Sequence, residues 1–155
     1  DRERQLLLDS FHPVRMSTST IAEIQQNFMR NFHSVPAEAA FLLRHRIQMQ
    51  YAEEFSAYCR MVQQSVRALL DAPLDDRISA LKSQALCVFG LADQIIPHTW
   101  IHGGSVPKLL NKTFAGCSGV ETELIEGAGH YVHLERPERL KNFILAWDQK
   151  IKNDG

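Results

Sequence analysis

A β-like run, Thr122-Glu123-Leu124-Ile125, leads into Glu126-Gly127-Ala128-Gly129-His130-Tyr131-Val132-His133-Leu134-Glu135-Arg136-Pro137-Glu138, and a helix-like run leaves near Pro137. Glycine tolerates backbone angles that other residues avoid, so Gly127 and Gly129 suit a tight loop directly after a strand. Such a loop holds His130 at the C-terminal end of that strand. Ligand sites of open α/β sheets lie at this end. His130 is therefore the first candidate for a catalytic base.

A second strand–loop unit lies upstream. Ala85-Leu86-Cys87-Val88-Phe89 is a continuous apolar run ended by Gly90, the pattern of a strand buried on both faces of a parallel sheet. Asp93 follows in the loop Gly90-Leu91-Ala92-Asp93-Gln94-Ile95-Ile96-Pro97. If the two strands are parallel neighbours, Asp93 and His130 meet at one sheet edge. A carboxylate on one imidazole nitrogen fixes the tautomer and stabilises the imidazolium formed when the other nitrogen takes a proton. The pair is the acid and base of a nucleophile–base–acid triad. Two strands do not make a stable sheet by themselves, so further strands are expected within the chain or from elsewhere.

The rest of the chain reads as mostly helical. A short helix is expected over residues 1–16, stopped near Pro13. Thr20 and Glu23 have the spacing of a capping box, and Ile21, Ile24, Phe28 and Phe32 follow on one helical face. Pro36 suits the first turn of a helix running to about Gln50 with Ala39, Ala40, Leu43 and Ile47 as its stripe. Another runs from about Glu53 to Leu70 on Phe55, Cys59, Val62, Val66 and Leu69 or Leu70; no turn residue separates the two, so one long helix is an alternative. An amphipathic turn is expected over Asp75–Leu81 and a short helix around Val106–Phe114. The last helix, from Pro137, is expected to bury Leu140, Phe143, Ile144, Trp147 and Ile151. The apolar side chains Phe28, Met29, Phe32, Phe41, Met49, Phe55 and Met61 suit helix–helix packing for the most part, with a cover over a substrate cleft as the functional alternative.

Composition narrows the function classes. A formal net charge of -1, with both signs mixed along the chain, gives no reason to expect nucleic acid or an acidic membrane as partner. Three cysteines without a CxxC fit a reducing, cytoplasmic compartment better than a disulfide framework. Zinc would accept His98 and His102 with His130 and His133, but there is no HExxH and Gly103-Gly104 opposes a regular helix there, so neither metal nor cofactor is expected. The cysteines read as core thiols, and His133 as a packing or hydrogen-bonding residue of the histidine loop.

At Leu86–Pro97 and Gly127–Glu138 the chain resembles the lid-bearing α/β-hydrolases. The first stretch is similar to the penultimate strand and acid loop of that family, the second to its histidine loop and the start of its last helix. The resemblance implies an α/β fold class: a partial α/β-hydrolase fold with a helical lid over residues 1–74, then the last two parallel strands and their helices over 75–155. It implies Asp93 and His130 as catalytic residues, and hydrolysis of an ester or a related acyl or carbon–carbon bond in a small apolar substrate. The family's nucleophile sits on a Gly-x-Ser-x-Gly turn ahead of the acid. No such motif occurs here: Gly116-Cys117-Ser118-Gly119 is followed by Val120 and lies between acid and histidine, and His102-Gly103-Gly104 lies too late to be the oxyanion-hole element. The expectation is a C-terminal hydrolase fragment whose nucleophile lies upstream of Asp1 or in another chain. Its partner is then the missing N-terminal half or another copy. The alternative is a non-catalytic binding or assembly module derived from the same fold.

Overall fold

The computed structural model describes residues 2–72, 77–78, 80–98 and 103–154. Asp75, Asp76 and Ser79 of the expected turn over Asp75–Leu81, and His102, lie outside the described residues. The described residues mix helix with two parallel strands in one sheet. It divides into two compact units, Asp1–Phe28 with Ala40–Leu74, and Met29–Ala39 with Asp75–Gly155.

The first unit is helical. Helices α1 (Arg2–Ser10) and α2 (Pro13–Ser17) pack on the long helix α5 (Phe55–Asp71), and Arg4 pairs with Asp71 while donating to the Leu70 carbonyl at 2.9 Å. Helix α3 (Ile21–Met29) begins with the capping box: Thr20 Oγ1 accepts from the Glu23 N–H at 3.2 Å, and Glu23 Oε2 accepts from the Thr20 N–H at 2.7 Å. The run after Pro36 opens as a 3₁₀ turn, Ala37–Ala39, before α4 (Ala40–Gln48). A second 3₁₀ turn, Met49–Tyr51, separates α4 from α5, so the single long helix does not form. Helix α5 buries Phe55 and Cys59 and leaves Leu69 exposed. Met29, Phe41 and Met61, expected mostly as core, are exposed.

The second unit holds the sheet. Strand β1 (Ala85–Gly90) pairs in parallel with β2 (Val120–Ile125), from Ala85 opposite Val120 to Gly90 opposite Ile125. Helix α6 (Val106–Thr113) forms part of the crossover; its N-cap is Ser105, whose hydroxyl accepts from the Lys108 N–H, and it buries Val106 and Leu110. After β2 come the single turn α7 (Val132–Glu135) and the long α8 (Pro137–Asp154). Leu86, Glu121 and Glu123 line a groove with Phe143, Ala146, Trp147 and Lys150 of α8, and Lys150 pairs with Glu121 at 2.9 Å.

Three expectations are corrected here. Ala85–Phe89 is only half-buried, because its sheet has a single other strand among the described residues. Helix α8 leaves Ile144 47% exposed, and its other expected core residues are half-buried. Phe32 is not on the α3 face: the helix stops at Met29, and Phe32 belongs with the second unit, buried and edge-on to Tyr131 at 5.1 Å. The whole segment 29–39 follows it there, although helical periodicity had joined it to the helices around it.

Candidate functional site

Parallel pairing in this register ends both strands level, at Gly90 and Ile125, and each chain then turns into its polar loop. The loops are tied by backbone bonds: Leu91 N–H donates to the Ile125 carbonyl at 2.9 Å, and Ala92 N–H to the Ala128 carbonyl at 3.0 Å. Gly127 makes its turn at φ 67°, the left-handed region where a side chain costs energy. Gly129 is needed for a different reason. A Cβ there would lie 2.7 Å from the His33 nitrogen and 2.9 Å from the Asn31 carbonyl oxygen, so segment 31–33 runs against it.

This geometry brings Asp93 and His130 together, with His130 Nδ1 2.9 Å from Asp93 Oδ2. The other carboxylate oxygen, Oδ1, accepts from the Ile95 N–H at 2.7 Å and the Ile96 N–H at 3.1 Å. The Asp93 side chain is 2% exposed and that of His130 is 32% exposed. Burial pushes the Asp93 carboxyl up, but the bonds from His130, Ile96 and Ile95 outweigh it and hold the group below the usual carboxylate range. The hydrogen bond to Asp93 raises the His130 imidazole above the usual histidine value, against the opposing effect of burial. A buried, orientated carboxylate behind a partly open imidazole can hold Nδ1 protonated and leave Nε2 to accept a proton.

Glu135 is the residue that sequence reasoning passed over. It is 6% exposed and bridges two backbone donors. Its Oε2 accepts from the Gly129 N–H at 2.6 Å and its Oε1 from the Ser34 N–H at 2.7 Å. The signal was a carboxylate in a single turn beside the apolar Val132 and Leu134. Its distant partner, Ser34, left no local mark.

The remaining candidates lie apart from this pair. His133 is exposed, with its ring 5.7 Å from that of Tyr131. His98 is half-buried with Nδ1 unpartnered, and no group of three His, Cys, Asp or Glu side chains gathers for a metal among the described residues. Ser118 precedes β2, so a six-residue strand, roughly 17 Å long, separates it from the end that carries His130. Burial raises the Cys59 and Cys87 thiols, which disfavours the reactive thiolate, and Cys117 is buried with its Sγ 3.5 Å from the Ile78 carbonyl oxygen. Among the described residues no helix is long and apolar enough to cross a membrane. Comparison with protein-family models and with curated proteins finds no match.

Proposed function

We propose that this chain carries the base and acid of an α/β-hydrolase, His130 and Asp93, and that the nucleophile is supplied from outside residues 1–155. The observation that carries this is the 2.9 Å contact between His130 Nδ1 and Asp93 Oδ2 at the C-terminal ends of two adjacent parallel strands. In the working enzyme, His130 Nε2 takes the proton of the nucleophile as it attacks the carbonyl carbon. It returns that proton to the leaving group, then activates water to release the acyl product. Asp93 stabilises the imidazolium through both proton transfers. The helices of the first unit are the lid in this reading, and their exposed Phe41 and Met61 suit a small apolar substrate.

The test is hydrolysis of a p-nitrophenyl ester by the gene product that contains these residues together with its upstream region. His130→Ala should abolish the activity, and Asp93→Asn should lower kcat by on the order of 10³–10⁴-fold. Residues 1–155 alone should show no His130-dependent hydrolysis. Activity indifferent to both substitutions, or an upstream region without a strand–Gly-x-Ser-x-Gly–helix element, overturns the proposal.

A second reading, a binding or assembly module built from the same fold, is favoured by the half-buried apolar strand β1. It predicts partner association with no dependence on His130.

A further inference from the structure

The histidine loop is held from behind by a set of bonds that the acid–base pair does not explain. Asn31 O accepts from the His130 N–H at 2.8 Å and the Tyr131 N–H at 3.3 Å. Glu135 closes the same junction with one oxygen on Gly129 and the other on Ser34. Phe32, between these contacts, is buried against Tyr131. Segment 31–34 and residues 129–131 therefore run together as one cross-bonded layer. Gly129 leaves no room for a side chain between them.

A buried carboxylate with an N–H on each oxygen is specific in what it does. Both oxygens must be acceptors, a condition that neither a protonated acid nor an amide meets in full. Bonds from N–H groups to an ionised carboxylate are stronger than neutral ones, and removing the acceptor strands the buried Gly129 donor in the interior and releases the donor of the exposed Ser34. One of those donors belongs to the residue immediately before His130.

We infer that Glu135 is a positioning residue for His130: its carboxylate clamps the Gly129–His130 backbone to segment 31–34 and so fixes the aim of the imidazole at Asp93. It touches neither substrate nor the reacting nitrogen and acts through the loop alone. The inference rests on His130 being the base, but it can be tested without substrate or nucleophile.

The experiment is an NMR titration of the His130 ring in residues 1–155, in wild type, Glu135→Gln and Glu135→Asp. Glutamine turns an NH₂ donor toward one of the two N–H groups, and aspartate is one methylene too short to span both. Each variant should move the His130 midpoint down toward the ordinary histidine value of about 6.5, as Nδ1 loses its alignment with Asp93. Folded variants in which His130 titrates as in wild type overturn the inference. Where a variant does not fold, the wild-type amides decide. The Gly129 and Ser34 N–H protons should both lie downfield, as donors to a carboxylate do; an ordinary position for either overturns the clamp. A His130-independent esterase result sinks the hydrolase proposal and leaves this titration unaffected, so the two failures are distinguishable.

Discussion

The backbone at Gly90 lies directly against the backbone of Gly129, so closely that a Cβ at Gly90 would overlap the Gly129 and Ala128 carbonyl oxygens. No side chain fits between the loop after β1 and the loop after β2. That approach, reinforced by the Ala92–Ala128 bond, sets the separation from which Asp93 and His130 reach each other. The hydrogen bond of the candidate site is thus a consequence of backbone packing three residues before Asp93 and one residue before His130.

Substitution at Gly90 should for this reason cost more than at Gly127. Gly90→Ala forces the two loops apart, and backbone cannot rotate away as a flexible side chain can; overpacking of this kind costs about 1–3 kcal/mol or more. Gly127→Ala meets only the end of the Arg136 side chain but must hold φ 67° with a Cβ, a cost of about 1–2 kcal/mol. Urea denaturation ranks the two. His130 ring titration should move in Gly90→Ala and stay near wild type in Gly127→Ala; the reverse order would show that the loop contact does not set the pair.

The Asp93–His130 pair should give the fold a defined pH optimum. The Asp93 pKa is lowered by folding, so its contribution is complete above the unfolded value of about 3.9 and is lost as pH falls through the lower folded value. The His130 pKa is raised, so its contribution is complete below the unfolded value of about 6.5 and is lost as pH rises through the higher folded value. Both act in full between about pH 4 and about 6.5. Asp93→Asn should flatten the stability profile at both flanks of that window. Equal profile shapes for wild type and variant in urea titrations across these pH values would contradict the assignment.

What the sequence made legible follows from how local each signal was. Strand, glycine loop and histidine are contiguous, so His130 could be placed by local rules, and Asp93 by the same rules applied once more. The capping box at Thr20 and Glu23 is equally local, and it forms. Phe32 was misplaced because spacing from Phe28 continues a helical face, whereas the chain leaves the helix at Met29 to pack on Tyr131. Glu135 was missed for the same physical reason: its partner Ser34 is remote in sequence, and a carboxylate in a short turn otherwise reads as solvated. Apolar content also overstated burial in β1, since a strand becomes buried only when the sheet supplies neighbours on both sides.

Burial separates two isoleucines that the sequence treats alike. Ile125 ends β2 and is 0% exposed, whereas Ile144 on α8 is 47% exposed. Ile125→Ala should cost about 2–5 kcal/mol by the loss of buried methyl groups and the cavity left behind. Ile144→Ala should stay within about 0.5 kcal/mol of wild type. Thermal or urea unfolding of the two variants checks the contrast. A large loss at Ile144 would mean that its face of α8 is covered in solution, by a second copy or by further chain.

Residues 1–155 should associate in solution through the β1 side of the sheet. Beyond β1 no further strand pairs among the described residues, so one row of its backbone N–H and C=O groups faces outward from the ladder with β2. Such an edge is a template for another strand, and natural proteins blunt it with charge or proline. The stretch Ala85-Leu86-Cys87-Val88-Phe89 has neither, and all five residues are half-buried. Sedimentation velocity under reducing conditions should therefore show a concentration-dependent increase in mass. Val88→Lys, which places a charge in the middle of the strand, should weaken it. Supplying the upstream region of the gene product should suppress self-association if that region adds the neighbouring strand, which ties this measurement to the hydrolase proposal. A monomer at all concentrations, with β1 intact, would show that the edge is already protected within these residues.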